Sequence, residues 1–289
     1  MMTEMSRGSL RNYEDVAGRA HMDLTSRTAS AIVIVEGSSD RGALSNIISR
    51  KRIFVAGSRN SVFETAEELR KLNDSKYLCV YDCDFVDHEL AGNHPDHCHP
   101  YPTADLESFV LDLGCATAMI ESMVSQSHNS PAKDYSGIVH RAKQELTNIS
   151  KLRLLNAQNA WNFPFSEIGI KTVVQPDGSV DYEKYINIMC AKRRSRISTG
   201  APAPEQVLHL VASVSDPGKY RGRDLLSILS QYLSKDGACP AKHGIGTSEG
   251  NLEVAVHTAA RTYIEGTDWG NKLSDAFEKQ SNAWINSNS

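Results

Sequence analysis

The chain has 289 residues, and 31 Lys and Arg against 35 Asp and Glu leave a formal net charge of −4. That length suits one large domain or two small ones, and 40% hydrophobic residues supply a real core, which excludes wholesale disorder. The mild acidity excludes a general polycationic coat but leaves a local basic groove open, because nucleic-acid affinity depends on where the cations sit.

No apolar run approaches the ~18–20 residues of a membrane helix. The start, MMTEMSRGSLRNYEDVAG, is too polar for a signal peptide. The expectation is a cytoplasmic protein with no membrane association. Its six cysteines, Cys79, Cys83, Cys98, Cys115, Cys190 and Cys239, are too dilute for a disulfide scaffold and are expected as reduced thiols.

Residues 1–27 read as an N-terminal extension. Ala31–Val35 is an apolar, β-branched run that reads as a buried strand and ends in Glu36-Gly37. Ser38 and Ser39 are suited to cap a helix reaching to about Arg50. Ile53–Ala56 is a second strand. Ser61 with Glu64 forms a capping-box pattern for a helix to about Leu72. Tyr77–Tyr81 is a third strand, followed by Asp82-Cys83-Asp84. This β-α-β-α-β order predicts an α/β fold with a mostly parallel sheet and flanking helices.

A polar loop over about 86–103 follows, and a helix restarts at Asp105. Beyond residue 130 the pattern is mainly helical, with segments at Ser136–Leu155, Asp181–Arg194, Asp224–Leu233, Leu252–Ile264 and Asn271–Trp284. Residues 168–180 suggest a small hairpin. The expected organisation is an extension (1–27), an α/β domain (28–130) and a mainly helical domain (131–289).

The carboxylates fall in informative places. Glu36 follows the first strand and Asp40 lies one helical turn later. Asp82 and Asp84 follow another strand, and two residues of extended chain place them on one side. In an open parallel sheet the C-terminal strand ends line a ligand crevice. Glu107, opening the next helix, is a candidate for the same edge. A single Asp or Glu in such a place commonly caps a helix or meets solvent. Several together repel unless a cation neutralises them, and all-oxygen donors suit Mg²⁺ or Mn²⁺. The chemistry such a centre supports is phosphoryl transfer, above all phosphodiester hydrolysis.

VEGSSD at Val35–Asp40, with YDCD at Tyr81–Asp84, resembles the motif pair of the TOPRIM (topoisomerase–primase) domain; the likeness covers residues from about 28 to 115. TADLE at Thr103–Glu107 and RGRDLL at Arg221–Leu226 look like elements of stand-alone TOPRIM proteins related to OLD nucleases. Among these the chain is most similar to the AriB effector nucleases of PARIS anti-phage defence systems. The resemblance implies a compact TOPRIM fold and a Mg²⁺-dependent endonuclease. Glu36 would be the metal-binding or acid–base glutamate, Asp82 and Asp84 metal ligands, and Asp40 and Glu107 helpers for a second ion. No motif places the family's basic catalytic residue; Arg221 or Arg223 is chosen for contact with the scissile phosphate, against a plain loop pair preceding an Asp224 helix cap. The resemblance further implies restraint by an AriA-like ABC-type ATPase, then release, homodimerisation and cleavage of host tRNA. A DNA nuclease, an RNA-maturation nuclease and a non-catalytic regulatory module stay open as alternatives.

Other signals compete. Cys79, Cys83, His88, His94, His97, Cys98 and His99 crowd one region and invite a zinc reading, although their spacing is not that of a zinc knuckle. Lys192-Arg193-Arg194 with Arg196 is a basic cluster suited to tracking nucleic-acid phosphates, joined by Arg50-Lys51-Arg52, with a solvated helix end as the plainer reading. No G-x-x-x-x-G-K-[ST] occurs, so any ATP hydrolysis is expected from a partner.

Overall fold

The computed structural model describes residues 15–26, 31–85, 95–124, 134–175, 177–194, 202–235 and 248–282. They fall into two compact units. The first gathers described residues 15–83, 95–102 and 257–282; the second takes 84–85 and those from 103 to 256. The division therefore follows contacts between distant segments rather than one cut along the chain.

The first unit is built on four parallel strands, β1 (Ile32–Val35), β2 (Ile53–Val55), β3 (Tyr77–Tyr81) and β4 (Cys98–Pro100), in the order β2-β1-β3-β4. The first three match the expected strands. The fourth lies in the Pro- and His-bearing stretch read as loop, where three residues offered no alternation to detect. Ile32 and Ile34 of β1 and Tyr77, Cys79 and Tyr81 of β3 share one face by the two-residue period. They pack with Val62, Phe63, Ala66 and Leu69 of α3 (Arg59–Lys71) and with Ala20 and Leu24 of α1 (Val16–Ser26). Val33, Val35, Leu78 and Val80 face the other way and are equally buried, as expected for a parallel sheet covered on both sides.

Local starts differ from expectation in instructive ways. Helix α3 is capped by Ser58, whose hydroxyl accepts the Ser61 N–H at 3.1 Å, so Ser61 is a first-turn residue and not the cap. The helix after β1, α2 (Ser38–Ala43), is only six residues long and passes into a 3₁₀ turn at Leu44–Asn46. Its N-cap is Gly37 rather than Ser38 or Ser39.

The second unit is helical: α4 (Leu106–Val110), α5 (Ala116–Val124), α6 (Tyr135–Gln158), α7 (Tyr182–Arg194), α8 (Pro204–Ser213) and α9 (Gly222–Lys235). On α6, Val139, Ala142, Leu146, Ile149, Leu152 and Leu155 repeat at three- and four-residue spacing and are all buried. Helix α9 packs on α4 and α6 and inserts Leu225, Leu226, Ile228 and Leu229 into that core. The suggested hairpin reduces to a single antiparallel bridge between Val174 and Val180.

Helix α10 (Glu249–Ile264) carries the chain from the second unit back into the first, where α11 (Asp268–Asn282) packs on β3. Trp269 Nε1 donates to the Pro100 carbonyl at 2.9 Å, and Ser281 Oγ accepts the Ala31 N–H at 2.9 Å. The C-terminal helix thus completes the sheet unit instead of extending the helical one.

Candidate active site

In the first unit, the parallel register pairs Val35 with Val80, so β1 and β3 end level with each other. Glu36 leaves β1 and Asp82 leaves β3 side by side, and Glu36 Oε1 accepts the Asp82 backbone N–H at 2.8 Å. Both side chains are half-buried. Arg59 Nη1 donates to the Asp82 carbonyl at 3.4 Å. The bond from the Asp82 N–H orients the Glu36 carboxylate at the strand ends.

Asp40 is held more tightly. Its Oδ2 reaches back to the Gly37 N–H at 2.8 Å and its Oδ1 accepts the Tyr101 hydroxyl at 2.7 Å, with only 6% of the residue exposed. Those two bonds set the turn from β1 into α2. They give Asp40 a positioning role beside Glu36.

Asp84 belongs to the second unit. Its φ of 47° is left-handed, a region Asp tolerates better than most residues. Its N–H donates to the Ala104 carbonyl at 2.8 Å. The chain has left the extended conformation here, so the two-residue alternation assumed for Asp82 and Asp84 ends at β3 and does not reach Asp84.

Around Asp84 the second unit assembles a charged cluster. Arg221 places Nη1 3.7 Å from Asp84 Oδ1 and Nε 3.1 Å from Asp105 Oδ2. Asp105, 1% exposed, is the hub: it caps α4 through the Ser108 N–H at 2.8 Å and accepts the Gly222 N–H at 3.0 and 3.2 Å. Burial pushes its carboxyl above the ordinary range and the Glu107 charge adds to this, while Arg221 and Ser108 hold it down. Gly222 is required at this point: a Cβ would lie 2.4 Å from both Glu107 Cβ and Ser108 N. Helix α9 therefore begins at Gly222, so Asp224 is not its cap; Asp224 instead accepts Arg153 Nε and Nη2 at 2.9 and 3.0 Å.

Glu107 and Glu253 bring carboxylate oxygens within 4.8 Å of each other. Arg223 Nη2 donates to Glu253 Oε1 at 2.5 Å, which raises the guanidinium further above its usual range. His257 follows Glu253 by four residues on α10 and shares its helix face. Asp105 and Gly222 stand in the TADLE and RGRDLL motifs without being singled out there as site residues, and Glu253 is not marked at all. The Asp105–Ser108 spacing was readable as a cap, but nothing local marks its pairing with a residue over a hundred positions away.

The expected basic cluster is only partly a surface. Lys192 is exposed, but Arg193 is buried at 6%, with Nε donating to the Trp161 carbonyl. This corrects the reading of Arg193 as a phosphate contact: its place on the buried side of α7 turns it into the unit. Arg194 ends that helix, and Arg196 lies outside the described residues.

The zinc reading finds no support among the described residues, where Cys79, Cys83, His97, Cys98 and His99 form no converged ligand set. Cys79 sits in the core, and burial drives its thiol well above the usual range. His97 stacks on Tyr77 and its Nδ1 pairs with the Tyr77 carbonyl at 2.8 Å. His88 and His94 lie outside the described residues.

Among the described residues the protein is α/β, with four strands that are all parallel and eleven α-helices. Comparisons with protein-family models, curated proteins and solved structures give no match to this chain. Among the described residues, no helix is long and apolar enough to cross a membrane.

Proposed function

We propose that this protein is a metal-dependent endonuclease of the TOPRIM type. The observation that carries the reading is the meeting of Glu36 and Asp82 at the C-terminal ends of adjacent parallel strands, where ligands of open α/β sheets bind. The donor set of the first unit fits a hard cation, since Glu36 and Asp82 offer only carboxylate oxygens. Mg²⁺ or Mn²⁺ bound there supplies charge neutralisation for a phosphodiester and a nucleophile at neutral pH. In this reading Glu36, oriented by the Asp82 N–H, holds or moves the proton. Asp40 fixes the turn that carries Glu36. Arg221 and Arg223 neutralise carboxylates of the second unit.

The motifs VEGSSD and YDCD support this class, and TADLE and RGRDLL support its narrower form. That form is an effector nuclease of anti-phage defence. It is restrained by an AriA-like ABC-type ATPase, acts as a homodimer when released, and cleaves tRNA. Full-length protein with Mg²⁺ should cleave tRNA, and Glu36→Ala should abolish cleavage while its melting profile stays cooperative. Equal cleavage by both proteins, with contaminants excluded, refutes the assignment. Co-expression with an ABC-type ATPase followed by light scattering tests the partner and the dimer.

One observation favours a second reading, a non-catalytic module. Arg221 and Arg223 already pair with Asp84, Asp105 and Glu253, which reduces the cation demand of that cluster. Absence of Mg²⁺ binding by calorimetry, in wild type as in Glu36→Ala, would favour it.

A further inference from the structure

A second feature of the first unit lies away from the carboxylates. A cavity of about 400 Å³ opens between α1, α2 and the edge strand β2, lined by Arg19, Ser38, Arg41, Arg50 and Lys51 with Ile53–Val55 as its floor. Its volume falls within the ~300–1,000 Å³ of small-molecule sites. Four cations from three separate elements converge on it, and no carboxylate appears among its described lining residues. Arg19 Nε donates to the Asp15 carbonyl at 3.3 Å, so Arg41, Arg50 and Lys51 are the lining cations on which the argument for an anion rests.

The individual side chains sharpen the point. Arg41 Nε is buried and meets no hydrogen-bond partner, a donor that is costly to leave unmade. Arg52, the third member of the basic tripeptide, is taken by Asp23 at 2.8 Å and does not line the cavity, whereas Arg50 and Lys51 do. Arg41 directly follows Asp40, whose oxygens are engaged by Gly37 and Tyr101. One short helix thus serves the candidate active site with one residue and the cavity with the next. Phe54 packs on the core cluster, so the floor offers no ring committed to stacking a base.

We propose that this cavity is a phosphate-binding subsite that seats a backbone phosphate of an RNA strand, next to but separate from the carboxylate centre. The inference rests on the nuclease reading for the identity of the strand. Guanidinium groups bind phosphate in bidentate fashion, and contacts of this kind set the register of a nucleic acid without reading its sequence.

The test uses full-length protein in EDTA, so that binding is separated from cleavage, with a labelled single-stranded RNA as probe. Arg50→Glu/Lys51→Glu should weaken binding at least ~10-fold. The slope of log K against log salt should fall by about 1.4, for two contacts at ~0.7 each. Arg41→Met should weaken binding as well, without lowering the melting temperature in phosphate-free buffer, since it removes an unpartnered buried donor. Affinity and salt slope unchanged in both variants overturn the subsite, even if wild type cleaves RNA. Pocket-dependent RNA binding by a protein that cleaves nothing with Mg²⁺ upholds the subsite and overturns the nuclease instead. If AMP or inorganic phosphate raises the melting temperature through Arg41 while RNA affinity ignores the variants, the site takes free nucleotide and the RNA assignment fails.

Discussion

Arg221 bridges two aspartates that arrive from different parts of the chain: its Nε lies 3.1 Å from Asp105 Oδ2, and its Nη1 lies 3.7 Å from Asp84 Oδ1. Asp105 is almost wholly buried and Asp84 is partly exposed. The guanidinium is therefore the cation that makes a buried carboxylate tolerable, besides being a candidate substrate contact.

Replacing Arg221 with Met should destabilise the protein by about 1–3 kcal/mol, the range for stranding a buried polar partner. Burial and Glu107 already raise the Asp105 carboxyl, and Arg221 opposes them. Losing Arg221 raises it further in the folded state. A carboxyl raised on folding contributes stability below its unfolded pKa of ~3.9 and loses it as pH rises through the folded value. The deficit of the variant should therefore be small in acid and grow toward neutrality. Chemical denaturation across that range reads it, and a pH-independent deficit would count against the pairing.

Glu36→Gln should separate geometry from charge. The amide oxygen still accepts the Asp82 N–H, so stability should stay within about 0.5 kcal/mol of wild type. Mg²⁺ affinity should fall, because a neutral oxygen is a poorer ligand for a hard cation. Calorimetric titration alongside thermal melting checks both; unchanged Mg²⁺ affinity would remove Glu36 from the metal site.

Gly222→Ala should cost about 1–3 kcal/mol, the usual range for overpacking. The new Cβ would sit 2.4 Å from the Ser108 nitrogen, a backbone atom that cannot simply rotate away. Denaturant melts measure the loss. A neutral effect would mean that the start of α9 moves freely relative to α4.

Cys79 should resist alkylation in the native protein and react once unfolded. It is buried in the core cluster and its thiol is held protonated by burial, so the reactive thiolate is scarce. Mass spectrometry after iodoacetamide treatment, with and without denaturant, distinguishes the two states.

The sheet was legible because its signals are local. Ile32–Val35, Ile53–Val55 and Tyr77–Tyr81 are short apolar runs closed by Gly or Asp, and they place Glu36 and Asp82 at strand ends without any tertiary knowledge. Helices α6, α7 and α9 were likewise visible from their three- and four-residue apolar spacing. Helix α1 was passed over in a polar stretch, and β4 is too short to show a period.

What tertiary structure alone decided involves partners far apart in sequence. Composition and spacing around Asp105 and Arg221 carry no trace of their contact, since the chain closes a long loop before either residue gains by it. The basic run at residues 192–194 reads as surface, yet the orientation of α7 buries Arg193 against Trp161. Asp84 looks extended by analogy with Asp82, but its N–H is claimed by the Ala104 carbonyl and the backbone turns left-handed. Local pattern determines which residues want a strand or a helix. Which charge is neutralised, and by whom, depends on the packing that brings distant segments together.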